Sequence, residues 1–286
     1  MSQRPHKRRR WPWVLLVLIL IFAVIVIDGN TRVVTDSFTL GDRALPEEFE
    51  GFRIAHLSDL HASTFGKNNE KLISAVREVR PDIICVTGDL VDGERSEQEP
   101  WVRELIPALT AIAPVYYVSG NHEWAAGWAR DLFSILREYG VTVLRNEFVT
   151  FGRGDDYIVI AGMDDPNGLR DQKTPERVVE EIRSAHPGKY ILMLYHRDTE
   201  LDMWAGLGVD AVLCGHAHGG LVRLPFTDGL VAPGQGLFPT WTAGIYEQGG
   251  TQMLVSRGLG GAHAGFLPLP RIFNNPEVVS ITLSRG

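Results

Sequence analysis

Residues 209–220, VDAVLCGHAHGG, place two histidines and several glycines directly after an apolar run. The run Val209–Leu213, interrupted by Asp210, is typical of a buried strand. His216 and His218 follow it, two positions apart. A histidine pair with this spacing is either a pair of ligands or an ordinary polar loop, and the pair alone does not decide between them. The other strands of the chain must decide.

Outward from this stretch, short apolar segments alternate with segments of helical periodicity. We predict strands at Phe52–Leu57, Asp82–Thr87, Val115–Val118, Tyr157–Ala161, Tyr190–Tyr195 and Val209–Cys214. We predict helices at Asn68–Val79, Glu99–Ile112, Trp128–Tyr139 and Pro175–Ala185. This alternation favours an α/β fold with a largely parallel sheet. After Gly219 the helical pattern stops, and the short strands Thr251–Ser256 and Val278–Leu283 predict a more antiparallel sheet packed on the first.

Five of the predicted strands end in side chains suited to metal binding. These are Asp59 and His61 in LSDLH, Asp89 in TGDLVD, Asn121 in SGNHEW, His196 in LYHRD, and His216 and His218 in GHAHGG. Because the carboxyl ends of strands share one edge of an α/β sheet, we expect these side chains to converge. Three oxygen and four nitrogen donors exceed one tetrahedral zinc site. They suit two divalent ions that share a carboxylate.

The ordered set SDLH, GDLVD, GNHE, a later histidine and GHAHGG resembles the calcineurin-like metallophosphoesterase superfamily over residues 52–220. The motifs GIY, SRGLG and NNPEV resemble a membrane-anchored bacterial branch, which includes proteins similar to a UDP-2,3-diacylglucosamine pyrophosphatase. The superfamily resemblance implies an α/β (α+β) fold. In it, two mixed β-sheets flanked by helices form a four-layer αββα sandwich.

The resemblance also implies roles for the side chains. Two divalent ions would be held by seven residues, the first ion by Asp59, His61 and His218, the second by Asn121, His196 and His216, and both by Asp89. His122 would be the catalytic acid. The implied reaction is hydrolysis of a phosphodiester, pyrophosphate or phosphomonoester, in which a hydroxide bridging the metals attacks phosphorus and His122 protonates the leaving oxygen. The ligand set does not choose among Mn, Fe and Zn.

Two alternatives remain open at this point. Arg197 stands where relatives often have a proline nearby, and it either contacts a substrate phosphate or pairs with Asp198.

Some relatives have lost ligands and act as non-catalytic scaffolds, so a metal-binding scaffold at the membrane is the alternative function. The presence of all seven ligand positions favours an enzyme over that scaffold, and over an interaction domain with a fortuitous histidine loop.

The N-terminal residues predict a membrane anchor. Trp11–Ile27 carries no charge and has the minimum length for a span. The DGNTRV that follows lacks a small-x-small cleavage pattern, which favours an uncleaved anchor over a signal peptide. Basic residues before the span predict a cytoplasmic N-terminus and an exported body. The predicted division is a basic tail 1–10, an anchor 11–27, a connector with a first strand 28–51, and a metallophosphoesterase domain 52–286.

Composition restricts the partners. Five of the 28 basic residues lie in the first ten positions, which leaves 23 basic against 35 acidic residues, a balance of −12. A body this acidic is a poor nucleic-acid binder. The two cysteines, Cys85 and Cys214, are too few for a disulfide scaffold and are expected to be free. The anchor and the apolar loop Leu221–Phe238 suggest a lipid-linked phosphate ester as substrate. The alternative is that the loop belongs to the core and that the anchor sets location without selecting a substrate. The oligomeric state is left open.

Overall fold

Two six-stranded mixed sheets, stacked face to face and flanked by helices, form the body of the protein. The computed structural model describes residues 10–169, 172–224, 227–264 and 267–286. The predicted basic tail therefore lies outside the described residues, except for Arg10. The loop Leu221–Phe238 is described apart from positions 225 and 226.

The strands fall into two sheets and two short hairpins. The first sheet contains, in spatial order, β1 (Val34–Gly41), β16 (Glu277–Ser284), β2 (Arg53–Leu57), β3 (Ile83–Thr87), β4 (Val115–Val118) and β5 (Thr142–Val143). The second contains β12 (Gly244–Gln248), β13 (Thr251–Val255), β9 (Ala211–Cys214), β8 (Ile191–Leu194), β7 (Asp156–Gly162) and β6 (Glu147–Arg153). The hairpins are β10 (Val231–Ala232) with β11 (Gly236–Leu237), and β14 (Ala262–Ala264) with β15 (Leu267–Leu269).

The C-terminal strands correct one expectation. β13 runs parallel to β9 in the second sheet, while β16 lies in the first sheet, parallel to β1 and antiparallel to β2. A separate, more antiparallel sheet after Gly219 was therefore the wrong interpretation. The physical reason is that four of the five residues of β2 are buried. Its open edge therefore needs a backbone partner, and β16 supplies it.

The described residues form seven helices, most of which cover the outer faces of the two sheets. They are α1 (Trp11–Thr31), α2 (Glu70–Val79), α3 (Arg95–Thr110), α4 (Asn121–Ala125), α5 (Ala129–Glu138), α6 (Pro175–Ala185) and α7 (Leu201–Leu207), with 3₁₀ turns at Glu47–Phe49, Lys67–Asn69 and His218–Gly220. α6 begins at Pro175, and the Thr174 hydroxyl accepts a hydrogen bond from the Arg177 amide at 3.3 Å. This is an N-cap followed by proline at the first helical position.

Three apolar clusters hold these layers together. α2, α3 and α5 pack on the first sheet through residues such as Leu72 and Leu132. Ile54 and Leu192 belong to the cluster between the sheets. α6 and α7 cover the second sheet, with Trp204 fully buried. The predicted four-layer αββα sandwich is confirmed.

α1 stands apart from this core. Among the described residues it is the one helix long and apolar enough to cross a membrane by length and composition. Its apolar side chains are exposed along most of its length, and it continues four residues beyond the predicted end at Ile27. β1 follows it directly and joins the first sheet.

Candidate metal centre

The predicted ligands converge where the two sheets meet. Asp59, Asp89 and Asn121 follow strands of the first sheet, whereas His196 and His216 follow strands of the second. A convergence on the edge of one sheet was expected, and the structure instead brings together the carboxyl ends of strands from both. The sheets face each other because the apolar faces of both are buried in one cluster, and this stacking brings the two sets of loops into contact.

Four side chains form the first group. Ligand atoms of Asp59, His61, Asp89 and His218 all lie within 4.8 Å of one another. His218 Nε2 is 3.5 Å from Asp59 Oδ1, and His61 Nε2 is 3.8 Å from Asp89 Oδ2. All four residues are buried. His61 Nε2 finds no hydrogen-bond partner among the described residues, so a cation there would satisfy a buried nitrogen that protein atoms leave unpaired.

A second group shares Asp89 with the first. Ligand atoms of Asp89, His196 and His216 lie within 4.8 Å of one another. His196 Nε2 is 3.2 Å from Asp89 Oδ2 and 3.1 Å from His216 Nδ1. The amide oxygen of Asn121 lies 3.2 Å from the same His196 nitrogen. The donor set of two adjoining groups with one common carboxylate therefore fits a pair of divalent ions.

The charge distribution favours positive charge in this cluster. Burial lowers the pKa of His196, but the adjacent Asp89 carboxylate outweighs burial and raises this pKa to about 10. Burial also raises the pKa of Asp89, but the neighbouring histidines, His196 foremost, lower it below its ordinary value. Burial lowers the pKa of His216 to about 2 and that of His218 well below its ordinary value. A lowered pKa favours the neutral imidazole, which is the form that binds a metal ion.

The backbone is strained at the cluster. Asp59, His61, Asp89, His216 and His218 all have φ between 48° and 68°, the left-handed region that residues other than glycine rarely adopt. Each such residue costs on the order of 1–3 kcal/mol. Backbone strain concentrated in five residues whose side chains adjoin is typical of a functional site rather than of ordinary turns.

Glycines allow the ligand loops to touch. A Cβ at Gly120 would overlap the Asp89 carboxylate, and one at Gly215 would overlap Ser58 Oγ and Asp59 Oδ2. We expected the glycines of GHAHGG to let backbone approach the ions. In the structure, the missing Cβ at Gly215 leaves room for Ser58 and Asp59 of the neighbouring loop. The approach of these glycines to the ions stays a prediction.

Glu123 is a supporting residue that the sequence reasoning missed. It is fully buried, and its carboxylate accepts hydrogen bonds from the backbone amides of Asp89, Leu90, Val91 and Gly120 at 2.6–3.2 Å. It therefore ties the loop after β3 to the loop after β4. Its position three residues after a helix N-cap is the capping-box spacing, and this signal could have identified it.

Two further contacts orient the histidine rings. His61 Nδ1 lies 3.2 Å from Asp92 Oδ2, and His196 Nδ1 lies 2.8 Å from the carbonyl oxygen of Thr87. Both contacts hold the Nδ1 side of the ring and leave Nε2 facing the cluster. His61, Asp92 and His122 also have ligand atoms within 4.8 Å of one another, but the Asp92 contact is the outer support of His61.

The C-terminal motifs lie behind the cluster. The Asn274 side-chain amide donates to the His218 carbonyl oxygen at 2.7 Å, and the Gly260 amide donates to the Asp59 carbonyl oxygen at 2.5 Å. SRGLG and NNPEV thus brace two loops that carry predicted ligands.

His122 and Arg197 border the cluster without entering it. The His122 side chain is 38% exposed, and its Nε2 lies 3.9 Å from Asp89 Oδ2. Arg197 forms a two-pronged ion pair with Asp165, at 2.6 and 3.0 Å. Its Nη1 lies 3.4 Å from His216 Nε2. The predicted alternative, an ion pair with Asp198, does not match this arrangement.

Arg197 reaches Asp165 because that residue follows β7, the neighbour of β8 in the second sheet. Asp198 is instead held by the Gln235 side-chain amide, which donates to it at 2.8 Å.

Comparison with known proteins agrees with this architecture. Residues 52–220 match the calcineurin-like phosphoesterase family. The uncharacterized metallophosphoesterase YkuE of Bacillus subtilis is 31% identical over 255 residues, which cover 87% of this chain and 85% of the relative. An uncharacterized metallophosphoesterase of Aquifex aeolicus is also 31% identical, with 87% of this chain and 90% of the relative covered.

A third relative is named for both a membrane and a catalytic part. The zebrafish (Danio rerio) transmembrane protein with metallophosphoesterase domain is 27% identical, covering 85% of this chain and 55% of the relative. Among solved structures, the sulfate thiohydrolase SoxB of Thermus thermophilus matches with a TM-score of 0.50 at 13% identity, over 75% of this chain and 53% of SoxB. At that identity the likeness shows the fold alone.

Proposed function

The chain belongs to the calcineurin-like phosphoesterase family, and from this membership we propose a membrane-anchored hydrolase of phosphoric esters that uses two divalent metal ions. The observation that supports the proposal most directly is the pair of buried His/Asp groups that share Asp89. In this proposal Asp59, His61 and His218 hold one ion. Asn121, His196 and His216 hold the other, and Asp89 holds both.

The ions, when bound, would supply Lewis acidity that activates water and neutralises charge on the phosphoryl oxygens. The residues of the chain do the rest. Asp89 keeps the two ligand groups together. It is buried, it contacts His196, and its Oδ1 accepts a hydrogen bond from the His122 backbone amide at 2.8 Å. The Thr87 carbonyl oxygen fixes the His196 imidazole, and the side chains of His196 and Arg197 contact the His216 imidazole. Little reorganisation is therefore needed when substrate binds.

His122 is the proposed general acid. Its ring is more exposed than the buried imidazoles of His61, His196, His216 and His218, so it can reach a bound ester while remaining beside Asp89. Its ordinary pKa is near neutrality, which suits proton transfer to a leaving oxygen. Burial lowers the pKa of this imidazole, opposed in part by Asp89.

Arg197 is the proposed contact for a substrate phosphate. Asp165 engages its Nε and Nη2 and fixes the guanidinium plane, while Nη1 lies beside His216. An arginine held in this way loses little side-chain entropy when it binds an anion.

The proposed location follows from α1 and the basic residues before it: the N-terminus is cytoplasmic and the body exported. The substrate class extends to phosphodiesters, pyrophosphates and phosphomonoesters, with lipid-linked phosphates favoured. The relatives named above carry no substrate in their names. Nucleotide-linked lipid precursors similar to UDP-2,3-diacylglucosamine are normally reached from the cytoplasm, and an exported body would not meet them there.

The test is metal content together with turnover. We expect purified protein to bind two divalent ions per chain and, with added Mn²⁺, to hydrolyse an aryl phosphodiester. A screen of phosphomonoesters, phosphodiesters and nucleotide-sugar pyrophosphates would then rank the substrate classes. Bound metal without turnover on any of them would favour the non-catalytic scaffold, and absence of bound metal would refute both functions.

A further inference from the structure

Outside α1, the large exposed apolar side chains of the described residues lie on two segments of the chain. Among the described residues, the large apolar side chains exposed beyond α1 are Leu224, Val231, Leu237, Phe238 and Phe273, here called the apolar patch. The first four lie in the loop between β9 and β12, and the fifth lies in the segment before β16. Isolated exposed apolar residues are ordinary, but a grouped set marks an interaction surface.

Backbone contacts join these two segments into one surface. Val222 bridges to Ile272, beside Phe273, and the Arg223 amide donates to the Ile272 carbonyl oxygen at 2.9 Å. The Leu230 amide donates to the Val222 carbonyl oxygen at 2.9 Å, and the Phe238 amide donates to the Leu230 carbonyl oxygen, also at 2.9 Å. The segments around Ile272, Val222, Leu230 and Phe238 therefore lie side by side. They are separated by three successive distances between hydrogen-bonded strands, about 15 Å in all.

The same segment clamps the end of α1. The Asn30 side chain and the Arg271 backbone exchange two hydrogen bonds, each 3.1 Å long. The Asn275 side-chain amide donates to the Asp28 carbonyl oxygen at 2.8 Å. At Gly29 a Cβ would lie 2.7 Å from the Arg271 carbonyl oxygen, so only glycine allows this approach. α1 is thus docked on the body by its last turn rather than joined to it by a loose linker.

The patch also borders the candidate metal centre. The turn of the β10–β11 hairpin lies against His216, because a Cβ at Gly234 would be 3.9 Å from His216 Nε2. Gln235 in the same turn donates to Asp198. Leu237 and Phe238 follow within three residues and are 72% and 78% exposed.

From these contacts we propose that the apolar patch inserts into the interface of the bilayer that holds α1, so that the metal centre opens at the membrane surface. The inference rests on the proposed anchoring by α1. A helix that crosses a bilayer ends at the bilayer surface, so the segment clamped to its last turn lies there too. Residues 229–246, which include Val231, Leu237 and Phe238 of the patch, carry no charge in a chain that is 22% charged. An uncharged apolar stretch of this kind fits a lipid interface rather than a charged partner.

The consequence concerns substrate access. A site at the membrane surface reaches a phosphate ester on a lipid headgroup without lifting the lipid out of the bilayer. The patch would then hold the site over the headgroups, while soluble esters reach the same site from water.

Depth measurement in proteoliposomes tests the insertion on the full chain. A nitroxide is attached at Leu237→Cys. Cys85 and Cys214 are fully buried, and the unsubstituted protein is labelled in parallel to measure their background. The matched control is Gln248→Cys, an exposed position in the β12–β13 hairpin. This hairpin lies far from α1. Gln252 in it accepts a hydrogen bond from the Gly41 amide at 2.8 Å, and Gly41 ends β1, about 25 Å along that strand from the end of α1.

We expect the ratio of oxygen to nickel-chelate accessibility to be severalfold higher at position 237 than at position 248. Equal, water-like ratios at both positions would overturn the proposal. Shielding of position 237 from both reagents would also overturn it, in favour of a protein partner or a second copy.

Turnover separates this inference from the proposed function. The double variant Leu237→Ser, Phe238→Ser should hydrolyse a soluble aryl phosphodiester at the wild-type rate and lose severalfold on a lipid phosphodiester in the same vesicles. Equal rates on the lipid ester would contradict the role of the patch. If the wild type hydrolyses neither ester, the proposed function fails, while the accessibility ratios still decide whether the patch is inserted.

Discussion

Asp89 Oδ2 lies 3.2 Å from His196 Nε2, which joins a carboxylate that follows the first sheet to an imidazole that follows the second. Neither sheet alone contains both groups of candidate ligands. The site therefore exists only when the two sheets are stacked, and the apolar cluster between them sets the distances within it.

Asp89→Asn should lower the occupancy of both metal ions, because the amide removes the charge that both groups share. His61→Ala should lower mainly one occupancy, since His61 belongs to the first group and not the second. Elemental analysis of purified protein gives the metal content per chain. Two fully occupied ions in Asp89→Asn would rule out the shared carboxylate.

Glu123→Gln should destabilise the fold by about 1–3 kcal/mol, because an amide cannot accept all the backbone hydrogen bonds that converge on this buried carboxylate. It should also weaken metal binding, since it frees the loops that carry Asp89 and Asn121. Thermal unfolding and metal titration measure the two effects. The control is Glu97→Gln, an exposed position on α3, which should change neither. Wild-type stability in Glu123→Gln would mean that other contacts hold these loops.

Asp210→Asn should alter how stability depends on pH. Burial raises the pKa of the Asp210 carboxyl from 3.8 to about 6. Since the folded state binds the proton more tightly, the charged form costs stability above pH 6, and this cost disappears as the pH falls toward 4. Asparagine keeps an acceptor for the Ile191 amide and removes the cost.

The free energy of unfolding of Asp210→Asn should therefore exceed that of wild type by on the order of 1–2 kcal/mol at pH 8 and should equal it near pH 4. Denaturant unfolding at both pH values measures the difference. Asp202→Asn, an exposed change on α7, is the control. A constant difference between Asp210→Asn and wild type at both pH values would contradict the titration.

Protease added to intact protoplasts should digest the body, because the basic residues at positions 4–10 favour a cytoplasmic N-terminus. A cytoplasmic protein measured in the same sample reports leakage. Full protection of the body, with digestion only after lysis, would reverse the topology.

The sequence predicted local features well, for physical reasons. β4 and α6 have the bounds that were expected, since an apolar run and a capped amphipathic segment are decided by nearby residues. α4 and α7, of five and seven residues, are too short to show a helical period. All seven predicted ligands lie in one cluster because each follows a strand, although their roles stay predictions.

The long-range contacts could not be predicted in this way. β16 pairs with β2 across more than 200 residues, and nothing local in Val278–Leu283 indicates the first sheet rather than the second. Arg197 lies beside Asp198 in sequence but pairs with Asp165, which the neighbouring strand brings near it. These partners are chosen by strand order, which a single sequence does not state.

His122→Ala should keep both metals and lose turnover, and the loss should depend on the leaving group. His122 lies beside the cluster and remains 38% exposed, so it is placed to donate a proton rather than to bind an ion. Esters with alkoxide-like leaving groups need that proton, and a general acid is typically worth about 10²–10⁴-fold on them. Nitrophenolate leaves without it and should show a much smaller loss.

Metal content and kcat for the two classes of ester, in wild type and His122→Ala, give the comparison. The matched control is His186→Ala. His186 follows α6 and contacts the Tyr157 hydroxyl at 3.2 Å, away from the cluster, so both rates and both metals should be retained. Equal loss on both leaving groups would remove the general-acid role. Loss of an ion in His122→Ala would instead make His122 a ligand, and the grouping with His61 and Asp92 would then describe a metal site.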